Sequence, residues 1–168
     1  SPSYSRDSSN QGNTMRKIKI KIKSEVNKHF YPEIDGMQHA LPLYMTKDSA
    51  GCDLINNGEN IKLYPLDRAV INTGVYIQLP EGYEAQVRGR SGLNRDYGIV
   101  VPTGTIDADY RGEIRVVVYN LSREPYIIEP GERVAQLVIC PVVQADWQQV
   151  EHLDKTDRGE GGFGSTGK

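Results

Sequence analysis

From Ile61 to Val143 the chain is a succession of short β-forming runs broken by glycine and proline turns, and that punctuation limits its fold more than any other feature. Ile61 to Tyr64, Ala69 to Leu79, Tyr83 to Val87, Ile114 to Tyr119, Tyr126 to Ile128 and Arg133 to Val143 are predicted strands, the second broken near Asn72-Thr73-Gly74. Turns such as Asn56-Asn57-Gly58 and Pro80-Glu81-Gly82 separate them. With 17 Gly and 9 Pro in 168 residues, long helices are disfavoured. The expected architecture is all-β, a jelly-roll sandwich or barrel with at most one short helix near Leu93 to Tyr97.

Upstream, Ser1 to Thr14 is polar and reads as a leader or disordered extension. Met15 to Ser24 alternates strictly, with Ile18, Ile20 and Ile22 on one face and Lys17, Lys19, Lys21 and Lys23 on the other, which predicts a half-buried edge strand. Lys28 to Gly36 reads as a loop, Ala40 to Tyr44 as a short strand broken by Pro42, and Asp48 to Leu54 as a turn feeding a strand. Gln144 to Asp157 is polar, and Arg158 to Lys168 is Gly-rich with one aromatic, a composition too poor in apolar residues to pack.

A net charge of -2 offers no general attraction to nucleic acid or membranes, so any anion chemistry must be local. Cys52 and Cys140 stand far apart, without metal or disulfide spacing, as reduced cysteines in a cytoplasmic protein would. No run is long enough to span a membrane.

Three stretches carry candidate chemistry. Gly104 to Glu113 sets carboxylates, an aromatic ring and a guanidinium between glycines, flanked by Ile99 to Val101 and Ile114 to Tyr119, and reads as a β-hairpin with a functional tip. Its Asp107-Ala108-Asp109 is no calcium loop, since Arg111 and Val118 occupy ligand positions. Gly89-Arg90-Ser91-Gly92 offers converging amides, a cation and a hydroxyl to an anion, with Ser91 as helix N-cap the plainer alternative. Arg158 to Gly167 repeats that chemistry and adds Phe163 as a stacking surface. Gly162 to Lys168 matches the start of a P-loop, but such a loop needs a buried strand before it and a helix after it, so none is expected. Together these suggest a nucleoside triphosphate, magnesium and a water nucleophile.

Five ordered stretches resemble the motifs of the trimeric dUTP pyrophosphatase (dUTPase) family: Ala50 to Leu54, Gly89 to Leu93, Gly104 to Glu113, Gly131 to Leu137 and Arg158 to Gly167. The resemblance implies hydrolysis of dUTP to dUMP and pyrophosphate, limiting uracil in DNA and supplying dUMP. Asp107 would activate the water and Gln136 would help hold it. Arg90, Ser91 and Gly92 would contact the phosphates, and Asp53 would grip Mg2+ through water. The backbone of Gly104, Thr105 and Ile106 would read uracil, and Tyr110 would exclude a 2′-hydroxyl. Arg158, Gly164, Ser165 and Thr166 would close on the γ-phosphate while Phe163 stacks on the base. Residues 15–146 would form the domain and 147–168 an arm closing over a site shared between subunits of a homotrimer. Neither nucleic acid nor a membrane is an expected partner. The rival dCTP deaminases, including bifunctional ones, carry a glutamate where this chain has Val116-Val117-Val118. The other rival is a catalytically silent trimeric scaffold.

Overall fold

The computed structural model describes residues 15–31, 33–34, 36–38 and 40–164. The elements are β1 (Lys21–Ser24), β2 (Glu33–Ile34), β3 (Met37–Gln38), β4 (Gly51–Ile55), β5 (Ile61–Leu63), β6 (Arg68–Asn72), β7 (Val75–Gln78) and β8 (Tyr83–Arg88). After them come α1 (Ser91–Tyr97), β9 (Ile99–Val100), β10 (Gly104–Ile106), β11 (Arg115–Asn120), β12 (Tyr126–Ile128) and β13 (Arg133–Pro141). A 3-10 turn covers Lys28–Phe30. Among the described residues the protein is all-β with one short α-helix, as its punctuation predicts.

A four-stranded sheet in the order β10-β8-β13-β4 faces a three-stranded sheet β6-β11-β9 across the core, with the pairs β1-β7, β12-β5 and β2-β3 completing the frame. Alternation decides which side chains enter the core. In β11, Val116, Val118 and Asn120 are buried while Arg115 and Val117 face outward. β13 breaks that rule at a register shift between Arg133 and Ala135, where Val134 and Ala135 are both buried. The bulge then restores Gln136 to the outer face, opposite Asp53 of β4 and Arg88 of β8.

Four expectations are corrected. Gly104 to Glu113 is not a hairpin tip: its flanks do pair, Val100 with Tyr119 and Ile99 with Asn120, but β10 leaves that sheet and pairs with β8. The strand predicted from Met15 begins only at Lys21, where β7 supplies a partner, although Ile18 and Ile20 keep their half-buried side. Ala40 to Tyr44 forms no strand; Pro42 has no amide proton to give, and Leu43 contributes only its carbonyl, to Asp53 N–H. Finally, Arg90, not Ser91, is the N-cap residue of α1.

Candidate active site

One row of side chains crosses the outer face of the four-stranded sheet. Asp53, Gln136 and Arg88 are register partners on β4, β13 and β8, so they point to the same side. Asp53, its side chain 17% exposed, lies between two guanidiniums, with Arg90 Nε at 3.7 Å and Arg133 Nη1 at 3.5 Å. Arg90 is held in place by a bond from its Nη1 to the Arg133 carbonyl (3.0 Å). Gln136 donates from Nε2 to the Gly89 carbonyl (3.1 Å), which ties β13 to the turn entering α1. Arg88 reaches along its own strand to Gln86 Oε1, and Gln86 in turn donates to Glu84.

Two guanidiniums around one carboxylate leave this corner net positive, a field suited to a polyanion. Ser91 is exposed beside it, and a β-carbon on Gly92 would meet nothing within 4 Å, so the approach to the Gly89–Gly92 turn is open. The sequence placed Arg90, Ser91, Gly92, Gln136 and Asp53 in one site, and the fold brings them to one corner. Arg133 was missed as an Asp53 partner; no signal could reveal it, because the pairing depends on the β4-β13 register across 80 residues.

The second cluster sits elsewhere. β10 is the edge strand of its sheet, bonded to β8 on one side only, so the other side of Gly104, Thr105 and Ile106 presents peptide groups to whatever lies alongside. Asp107 follows and is exposed, its carbonyl accepting Tyr110 N–H (3.1 Å) to close a turn. Arg111 clips that turn from outside through Nη1 to the carbonyls of Ala108 (2.6 Å) and Tyr110 (3.2 Å). The Tyr110 hydroxyl donates to the Glu113 carbonyl (2.8 Å), and the ring borders an open cavity of about 300 Å³ with Ile106, Glu113 and Arg115.

Within one chain the two clusters do not meet. Ile106 pairs with Ala85, so Asp107 lies level with Glu84, four residues along β8 from the Arg88–Gln136 row. At strand spacings this is about 13 Å along β8 and about 10 Å across two strand gaps. A base and the groups holding its water must lie within hydrogen-bond reach of a common point, and one copy does not provide that.

The third stretch stands apart from both. From Val142 onward the described chain has no helix or strand, and Val143, Trp147, Leu153 and Phe163 are almost wholly exposed. Among the described residues Arg158 bonds only within its own turn, from Nε to the Gly161 carbonyl (2.8 Å). Gly164 carries a left-handed φ of 77°. Ser165 and Thr166 lie outside the described residues.

A metal has no cage here: among the described residues no three His, Cys, Asp or Glu side chains gather. Asp53 nonetheless suits an outer role. Its ion pairs are longer than direct charge-assisted hydrogen bonds, which leaves lone pairs to accept from water.

Comparisons with known proteins place the whole chain, not its individual site residues. The dUTPase family model matches residues 38–167. A deoxyuridine 5'-triphosphate nucleotidohydrolase of Ehrlichia canis is 54% identical over 132 residues, 76% of this chain and 86% of the relative. One of Fusobacterium nucleatum is 46% identical over 157 residues, 92% of this chain and all of the relative. Among solved structures, the dUTPase of Staphylococcus bacteriophage 80alpha with dUPNHPP superposes with a TM-score of 0.72 at 30% identity, covering 89% of this chain and 99% of that one. A variant of the dUTPase from phage phi11 of S. aureus gives 0.68 at 25% identity, covering 82% and 100%. A family model over most of the sequence, relatives near half identical and a shared all-β frame together make this chain a member of the dUTPase family.

Proposed function

We propose that the protein hydrolyses dUTP to dUMP and pyrophosphate, as a dUTP diphosphatase of nucleotide metabolism. The observation that carries this reading is the convergence of Asp53, Arg90 and Gln136 on one net-positive corner of the sheet. Relatives named deoxyuridine 5'-triphosphate nucleotidohydrolase support it, as does the phage 80alpha dUTPase, which is described with dUPNHPP.

In this reading Asp107 accepts a proton from water as the water oxygen bonds to the α-phosphorus. The bond from that phosphorus to the bridging oxygen breaks, and pyrophosphate leaves with the electron pair. Arg90, with Ser91 and Gly92, receives the charge that develops on the phosphate chain, while Gln136 orients the water or the α-phosphate. The free edge of β10 reads the uracil through peptide groups, and Tyr110 lies under the deoxyribose. Asp53 would hold Mg2+ through an intervening water, and the ion, bound mainly by phosphate oxygens, would supply charge neutralisation for the triphosphate. The phi11 dUTPase is described with a structural Mg(II) ion.

The separation of Asp107 from Gln136 supports a site completed between copies of the chain, and with it the homotrimer. Arg158, Phe163 and Gly164, with Ser165 and Thr166, then close over a neighbouring subunit's site as residues 147–168 cross to it, while residues 15–146 form the body. Reduced Cys52 and Cys140 are in keeping with a cytoplasmic protein.

The test is product analysis with dUTP, dCTP and UTP. Pyrophosphate from dUTP in preference to the others supports the proposal. Ammonia from dCTP would assign a deaminase, and binding without turnover would assign a scaffold.

A further inference from the structure

Glu113 and Gly112 have no part in the chemistry above, yet both are built around Tyr110. The Tyr110 ring lies directly over Gly112: a β-carbon on that residue would stand 2.6 Å from Cζ and 3.0 Å from Cε2, and would also strike the hydroxyl oxygen. Glu113 links the ring to a distant turn. Its carbonyl accepts the phenol (2.8 Å), and its carboxylate accepts Gly74 N–H (2.9 Å).

The far end of this hold is rigid. Thr73, fully buried in the turn between β6 and β7, donates to the Ile114 carbonyl (2.5 Å), and Ile114 N–H donates to the Val75 carbonyl (2.8 Å). Three hydrogen bonds therefore fix Glu113–Ile114 to the β6-β7 turn and the first residue of β7. At its other end the Asp107–Tyr110 segment grows from β10, fixed to β8. The phenol bond fastens an otherwise exposed ring to this frame.

We propose that Gly112 and Glu113 are positioning residues for sugar selection: the first leaves the space in which the Tyr110 ring lies, the second fixes its height, and together they set discrimination between 2′-deoxyribo- and ribonucleoside triphosphates. This rests on the reading that Tyr110 meets the sugar. A steric gate discriminates only as far as it cannot yield, so a ring free to tilt would admit a 2′-hydroxyl. Gly112 works by omission, and Glu113 through a carboxylate bond to a turn 39 residues away.

The experiment measures kcat/KM for dUTP and UTP in Gly112→Ala, Glu113→Ala, Glu113→Gln and Tyr110→Ala, with thermal melting and the pH–rate profile on dUTP. Gly112→Ala and Glu113→Ala are expected to lower the dUTP/UTP ratio at least about tenfold, because a loosened contact at the sugar is felt in the ratio and not in the base's titration. Their pH profiles keep the wild-type shape. Glu113→Gln, whose amide oxygen still accepts Gly74 N–H, retains the ratio. Should Gly112→Ala fail to fold, the Glu113 pair decides.

A collapsed ratio in Tyr110→Ala beside an unchanged ratio in folded Glu113→Ala and Gly112→Ala would overturn the inference and leave the proposed function standing. An unchanged ratio in Tyr110→Ala would overturn both this inference and the sugar contact it rests on.

Discussion

Gln136 occupies the space that a side chain on Gly51 would need: a β-carbon there would come 2.7 Å from Gln136 Oε1 and 3.2 Å from its Cβ. Gly51 sits on β4 across from Val138, whose Cγ2 would also be 3.2 Å away, so an alanine meets resistance on both sides. Either Gln136 swings away from the Gly89 carbonyl or the two strands part. Gly51→Ala is expected to cost about 1–3 kcal/mol of stability, as overpacking does. Its kcat is expected to drop further than that of a stability-matched core variant such as Ile128→Val, measured by chemical denaturation alongside steady-state kinetics.

Asp107 is exposed at the end of β10, and only its backbone carbonyl enters the turn that carries it. Replacing the carboxylate by an amide therefore leaves the turn intact and removes only the proposed base. Asp107→Asn is expected to lower turnover by about 10²–10⁴, the usual range for a general base, with affinity for a nonhydrolysable dUTP analogue nearly unchanged. Wild-type turnover in that variant would remove Asp107 from the mechanism.

The sequence makes some of this layout legible and hides the rest for physical reasons. Alternation in Val116-Val117-Val118 announces β11 and its buried face, because period two is a local property. The Gly104 to Glu113 stretch announces itself as a polar, Gly-bounded connection but not as a sheet crossing, since the choice of β8 over β11 as partner for β10 is made by tertiary pairing. Gly51 and Gly112 were invisible as site residues because what they contribute is an absent atom beside a distant or folded-back side chain. Arg133 and Glu113 carry charge in plain view, but their partners Asp53 and Gly74 are chosen by register and turn geometry.

The exposed C-terminal segment is expected to bear on turnover and little on the fold. Phe163 touches solvent on all sides, and among the described residues Arg158 bonds only to its neighbours in sequence. Removing residues 158–168 is expected to leave the melting temperature unchanged while kcat/KM for dUTP falls at least about a hundredfold, the scale of losing donors to a charged transition state. A lowered melting temperature with retained activity would make the segment structural instead.

Alkaline pH is expected to loosen the fold through two tyrosines. Burial, assisted by the charges of Cys52 and Asp53, pushes Tyr31 from 10.0 up to about 12. Burial followed by the hydrogen bond to Glu132 raises Tyr126 as well. A raised folded-state value means that the native protein keeps protons which the unfolded chain releases above pH 10, so the stability these tyrosines contribute is full below that pH and is lost as pH rises toward 12. The denaturation midpoint should decline through that window, and less steeply in Tyr126→Phe, which has one fewer proton to lose.

Asn120 closes the β11 strand fully buried, and every hydrogen-bonding position of its amide is used. Nδ2 donates to the carbonyls of Leu63 and Glu124, both at 2.8 Å, while Oδ1 accepts from Ser122 N–H (2.9 Å) and Ser122 Oγ (2.7 Å). Three segments are joined through this one side chain: the end of β5, the loop after β11 and β11 itself. Asn120→Ala strands the two carbonyls and the Ser122 amide together, and a buried group left unpaired costs about 1–3 kcal/mol. Water entering the vacated space recovers part of that loss, so the expected destabilisation is about 3 kcal/mol and not the sum of all the broken bonds. Asn120→Asp keeps the acceptor but presents a second oxygen to both carbonyls, so it is expected to be at least as damaging as alanine at neutral pH and to recover partly in acid, where a protonated carboxyl donates again. Urea denaturation of the two variants at neutral and acid pH checks the order; an aspartate variant as stable as wild type at neutral pH would show that the two carbonyls do not depend on the Asn120 amide.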